Sequence, residues 1–95
     1  MAQLAAYTAS KWALQGLTKA ADLDLAADNI RVLSLHPAPV RTPMTGHLDL
    51  TAQTAGYPIP GAGESDELAR MLLFMVADAT FSKGSEFIAD GGWVL

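Results

Sequence analysis

Tyr7 and Lys11 have the side-chain types and the spacing for proton chemistry at an oxygen atom. Residues four apart share one face of a helix, with Cβ atoms roughly 6 Å apart. An ammonium beside a phenol favours the phenolate, which suits the tyrosine to exchange a proton with an alcohol or carbonyl near neutral pH. A tyrosine and a lysine at this spacing also arise by composition alone in a fair fraction of chains of this length. The pair therefore gains weight only from the elements around it.

Apolar periodicity predicts a helix over about residues 7–27, where Trp12, Leu14, Leu17, Ala21, Leu25 and neighbouring alanines make more than one side apolar. Such a helix has a core face and a second contact face. Asp28 and Asn29 end it, asparagine being tolerant of turn conformations. Ile30 to His36, a β-branched run broken by polar residues, predicts a strand. Pro37, Pro39 and Pro43 then predict a long loop without regular structure over residues 36–63. A loop of that length inside a compact domain is usually a lid or a binding segment. Ser65 or Asp66 is the expected N-cap of a second helix, whose apolar stripe is Leu68, Met71, Leu72, Met75 and Val76. Gly84 to Gly92 predicts a strand ending in a turn, with Trp93 beyond it. Strand, helix, strand implies a right-handed crossover between parallel strands, hence an α/β fold.

Composition narrows the classes. Hydrophobic residues make up 51% of the chain and charged residues only 17%, which suits a buried α/β piece better than a freely solvated domain. A net charge of −4, without a Lys/Arg cluster, argues against a nucleic-acid partner. The absence of cysteine excludes disulfides and thiolate metal sites. His36 and His47 have no convincing ligand partners, so no metal is expected. Met1-Ala-Gln-Leu4 does not resemble a signal peptide, and the longest apolar run, Met71 to Ala77, falls far short of a membrane span. A cytoplasmic protein without a membrane partner is the default expectation.

Four motifs occur in one order and at compatible spacings: Tyr7-x-Ala-Ser-Lys11; Asn29-Ile-Arg-Val32; His36-Pro37 with Thr42-Pro-Met44; and Gly84-Ser-Glu-Phe-Ile-Ala-Asp-Gly-Gly92. Together they resemble the C-terminal part of a classical short-chain dehydrogenase/reductase. Within that family, Ser10-Lys11-Trp12, His36-Pro37, Thr42-Pro-Met-Thr45, Gly56-Tyr-Pro58 and Asp90-Gly-Gly-Trp93 look most similar to bacterial 3-alpha/20-beta-hydroxysteroid dehydrogenases. The resemblance implies the C-terminal part of a Rossmann-type doubly wound parallel sheet, and an oxidoreductase passing a hydride between NAD or NADP and a secondary alcohol or ketone.

By that resemblance, Tyr7 is the proton donor or acceptor at the substrate oxygen. Lys11 lowers its pKa and bonds the nicotinamide ribose. Pro37 opens the cofactor loop, and Val40 and Thr42 hold the carboxamide, the first through its backbone and the second through its hydroxyl. Residues 44–57, with Met44, Leu48 and Tyr57, form a substrate lid. Its apolar residues suit a small hydrophobic alcohol or ketone, and equally suit plain packing. His36 is expected to be structural, Trp12 and Trp93 to be packing or subunit contacts, and Asp90-Gly91-Gly92 to be a turn. The full-length form is expected to be a homo-oligomer, a dimer or a tetramer.

Two departures stand out. The family has glycine after the loop proline, where this chain has Ala38 and Pro39. A left-handed alanine costs roughly 1–2 kcal/mol, so the cofactor loop is expected to be shifted. The family's N-terminal half, with its Gly-rich phosphate loop, catalytic serine and relay asparagine, has no counterpart in these residues. The chain is therefore expected to be a partial NAD(P)-binding domain over residues 1–95, cut from a longer enzyme or a remnant of one. The alternative reading is a catalytically inactive remnant that associates with a full-length homologue.

Overall fold

A computed structural model of the chain describes residues 4–92, with α1 at Leu4–Asp24, β1 at Ser34–Pro37, β2 at Val40–Arg41, α2 at Leu50–Gln53, β3 at Gly63–Glu64, α3 at Ser65–Ala77 and β4 at Glu86–Ala89. Trp93 lies outside the described residues. The elements form two compact units, residues 1–34 with 81–87, and residues 35–80 with 88–95.

In the first unit, α1 is followed by a 3₁₀ turn, Ala26–Asp28, and the chain then reverses at Asn29. Asn29 is the one non-glycine residue with positive φ (59°) among the described residues, as its tolerance of the left-handed region predicts. The helix turns its polar side inward. Thr18 and Asp22 are buried, and Thr18 satisfies its hydroxyl on the Leu14 carbonyl at 2.8 Å. Trp12, Leu14 and Leu17, expected to include a core face, are exposed instead.

The reason is Asp22. Its carboxylate accepts the Val32 N–H at 2.8 Å and stands 3.6 Å from the Lys83 ammonium. Lys83 also donates to the Ile30 carbonyl, and Lys19 donates to the Gly84 carbonyl at 3.0 Å. A helical side chain thus takes an amide that a strand beginning at Ile30 would use, and β1 starts at Ser34 rather than at Ile30.

β1 and β4 form a two-stranded sheet. Gly84 N–H donates to the Val32 carbonyl, Ser34 N–H to Ser85 and Ala38 N–H to Ala89, so both strands advance together and the pairing is parallel, as predicted.

In the second unit, the long loop expected to lack regular structure contains β2, a 3₁₀ turn at Pro43–Thr45, α2 and β3. β2 and β3 pair in parallel, Val40 with Gly63 and Arg41 with Glu64, and an Arg41–Glu64 ion pair of 3.1 Å spans the pair. The N-cap of α3 is Glu64, not Ser65 or Asp66; Glu67 accepts the Glu64 N–H, while the Ser65 hydroxyl is spent on the Arg41 carbonyl. Of the predicted α3 stripe, Met75 is buried and Leu68 and Met71 are half-buried, whereas Leu72 and Val76 are exposed. Leu50, Thr54, Ala79 and Asp90 are the other buried residues described here.

β4 ends in the predicted turn. Gly91 and Gly92 both take positive φ, and Asp90 accepts the Gly92 N–H at 2.9 Å. The Gly91 carbonyl accepts the Ile59 N–H. A Cβ at Gly91 would lie 2.7 Å from the Ile59 carbonyl oxygen.

Two outcomes follow for the purified chain in urea titrations. Asp22→Ala orphans the Val32 amide and should cost about 1–3 kcal/mol, whereas Asp22→Asn keeps an acceptor and should cost clearly less. Gly91→Ala combines a backbone clash with left-handed strain and should cost more than the roughly 1–2 kcal/mol of strain alone. Equal midpoints for Asp22→Ala and the parent chain would remove Asp22 from its central role.

Candidate active site

Helix α1 carries the two residues with proton chemistry. Tyr7 is 56% exposed, and the Lys11 ammonium stands over its ring, 5.2 Å from the centroid. The spacing of four places both on one face, and a cation over an aromatic ring is held by the ring's quadrupole. Ser10, between them, spends its hydroxyl on the Tyr7 carbonyl at 2.7 Å and is tied to the helix backbone.

Of the residues expected to bind the cofactor, Tyr7 and Lys11 lie in the first unit and Pro37, Val40 and Thr42 in the second. Pro37 is the last residue of β1, where its missing N–H costs the sheet nothing. Ala38 avoids the left-handed conformation its position raised, since it is not among the residues with positive φ. Its N–H is spent on the Ala89 carbonyl.

Val40 sits in β2 beside Gly63, and the ladder to β3 engages the Pro39 carbonyl through Gly63 N–H at 3.0 Å. Alternate residues of a strand direct their N–H and C=O to opposite edges, so those of Val40 project from the edge away from β3. Among the described residues no strand pairs with that edge.

Thr45, which the sequence places in a motif without a role, organises this segment. Its hydroxyl accepts the Thr42 N–H at 3.0 Å and lies 2.7 Å from the Val40 carbonyl oxygen. A hydroxyl three residues after Thr42 is the one signal that could have marked it, being the reciprocal-cap spacing.

The expected lid is more firmly built than its prolines suggest. Met44 is 85% exposed and Leu48 is exposed, but α2 beyond them is anchored by buried Leu50 and fully buried Thr54. The Thr54 hydroxyl donates to the Leu50 carbonyl at 2.7 Å and accepts the Gly61 N–H at 2.9 Å. Tyr57 lies on the loop so closed, half-buried, with its ring 3.5 Å from where a Gly91 Cβ would stand. An open hollow of about 630 Å³ in this unit is walled by Ala38, Ile59, Leu68, Met71, Ile88 and Gly92. Met44, Leu48 and Tyr57 do not line it.

Among the described residues no group of His, Asp and Glu could hold a metal, and no helix is long and apolar enough to cross a membrane. Tyr7 and Lys11 are brought together in one unit, and Val40 and Thr42 in the other.

The family model described as enoyl-(acyl carrier protein) reductase matches residues 1–94. The trans-4-hydroxycyclohexanecarboxylate dehydrogenase of Sinomonas cyclohexanicum is 42% identical over 89 residues, 93% of this chain and 34% of that protein. The 3-alpha-(or 20-beta)-hydroxysteroid dehydrogenase of Mycobacterium tuberculosis is 41% identical over 90 residues, again 93% and 34%. The chain thus spans about a third of the length of the curated relatives it matches. Among solved structures, a 4-hydroxyisoleucine dehydrogenase mutant complexed with NADH and succinate superposes with a TM-score of 0.85 at 32% identity, covering 95% of this chain and 40% of that one. A blue fluorescent protein from a metagenomic library, in complex with NADPH, gives 0.82 at 32% identity, covering 94% and 37%. Motif order, parallel α/β elements and these matches place the chain in the short-chain dehydrogenase/reductase family.

Proposed function

We propose that the chain supplies the proton-transfer and nicotinamide-facing part of an NAD- or NADP-dependent oxidoreductase that interconverts a secondary alcohol and a ketone. The exposed Tyr7–Lys11 pair carries this reading, because it presents a phenol and an ammonium on one open helix face. In the oxidative direction Tyr7, as phenolate, takes the hydroxyl proton of the alcohol, and in reduction it returns that proton to the carbonyl oxygen. Lys11 stabilises the phenolate by its charge and offers donors to a ribose hydroxyl. When bound, the nicotinamide supplies or accepts the hydride.

The backbone of Val40 fits a carboxamide, since its N–H and C=O project together from an edge that no strand covers among the described residues. Thr42 adds a hydroxyl beside it, and Pro37 begins the loop. Residues 1–95 are in this reading a partial Rossmann-like domain of a longer, cytoplasmic, homo-oligomeric protein.

Met44, Leu48 and Tyr57 would lie over a small hydrophobic substrate. Relatives named for a cyclohexanecarboxylate, cyclohexanol, cyclopentanol and a hydroxysteroid support a ring-borne secondary alcohol, with a hydroxysteroid as its finer form. A second reading, a catalytically inactive remnant bound to a full-length homologue, is favoured by one observation. α1 exposes Trp12, Leu17 and Leu23, an apolar surface suited to contact.

Turnover of cyclohexanol with NAD or NADP by the purified chain decides between the two. The first reading expects activity that falls at least ~100-fold in Tyr7→Phe, with an unchanged far-ultraviolet spectrum. Activity insensitive to Tyr7→Phe would remove that residue from the chemistry. No turnover, with a longer dehydrogenase co-purifying, would favour the remnant.

A further inference from the structure

We infer that Thr45 is a positioning residue for the nicotinamide carboxamide, acting through the backbone of Val40 and Thr42; this rests on the oxidoreductase reading above. A hydroxyl has one proton to give and two lone pairs to offer. Thr45 uses both functions within five residues of chain. It accepts the Thr42 N–H at 3.0 Å and gives its proton to the Val40 carbonyl at 2.7 Å, with the Thr42 carbonyl more distant at 3.1 Å.

Three consequences follow for what the segment can offer a ligand. The Thr42 amide is committed, so Thr42 can donate to a carboxamide only through its side chain. The Val40 carbonyl keeps a second lone pair, which can accept from a carboxamide NH₂. The contact with Thr45 also fixes the plane of the Val40–Arg41 peptide, and the direction of that lone pair with it.

The other edge of the segment is held separately. Gly63 N–H engages the Pro39 carbonyl, the Ser65 hydroxyl the Arg41 carbonyl, and Glu64 the Arg41 guanidinium. Those bonds resist displacement of β2 as a whole. Thr45 holds the Val40 C=O from the side on which it would meet a ligand. A bound amide then finds its acceptor already oriented, which reduces the ordering cost of binding.

Thr54 provides an internal control. It too is a threonine whose hydroxyl makes two backbone bonds in the same unit, but to Leu50 and Gly61 rather than to Val40 and Thr42. A purely structural role for Thr45 predicts that both threonines behave alike.

The experiment titrates reduced nicotinamide mononucleotide against the full chain by fluorescence and follows hydrogen exchange of the Thr42 amide by NMR. The parent chain is compared with Thr45→Val, Thr45→Ser and Thr54→Val. Thr45→Val should weaken binding about tenfold, the scale of one lost hydrogen bond, and speed Thr42 exchange by a similar factor. Thr45→Ser should restore both, and Thr54→Val should leave the Thr42 amide protected and the affinity within about twofold of the parent. Parent-like affinity in Thr45→Val, or an equal loss in Thr54→Val, would overturn the positioning role while leaving the oxidoreductase reading intact. A folded parent chain that does not bind the mononucleotide would overturn both together.

Discussion

Asp22 is the constraint on which the first unit depends. A carboxylate at 4% exposure must be compensated, and it finds a backbone amide and an ammonium from two different segments. Its position late in α1 lets one side chain tie the helix to the chain entering β1 and to the chain entering β4. Helix face, strand start and the orientation of Tyr7 and Lys11 within that unit therefore share one polar anchor. The Lys83 contact is half-exposed and contributes modestly; the shorter, part-buried bond to the Val32 amide is the stronger tie.

The second unit is organised by small polar groups rather than by apolar bulk. Its buried hydrophobic side chains are Leu50, Met75 and Ala79. Around them, the hydroxyls of Thr45, Thr54 and Ser65 each reach a backbone carbonyl, and the Gly91 carbonyl receives the Ile59 amide. Threonine suits such work, because its stiff χ1 lets a hydroxyl be aimed at little entropic cost. The segment over the expected substrate side is consequently a set of closed loops, pinned at the buried Leu50 and Thr54 while Met44, Leu48 and Ile59 stay exposed.

Signals that are local in sequence were legible. The i, i+4 relation of Tyr7 and Lys11, the reversal at Asn29, the proline closing β1 and the glycine turn after Asp90 each depend on near neighbours, and each appears in the structure. The family was legible for a related reason: four short motifs in order need no knowledge of packing. Contacts made across the sequence were hidden. That β1 starts four residues late follows from Asp22, ten residues upstream of Val32, and no periodicity reports it. The α3 cap moved to Glu64 because Ser65 was claimed by Arg41, twenty-four residues earlier. Thr45 was named only within its motif and given no role, because its partners are backbone atoms, which every sequence has and none displays.

Helix α1 is polar on its buried side and apolar on its open one, with Leu23 77% and Trp12 68% exposed. An arrangement of that kind makes stability a function of company. Whatever shields the outward leucines and tryptophan binds the folded helix and not the unfolded chain, so mass action draws the population toward the native state as the shielding species becomes more abundant. The folding equilibrium of this chain would thereby follow the concentration of that shielding species, and its melting temperature would depend on the protein concentration only where the species is a second copy.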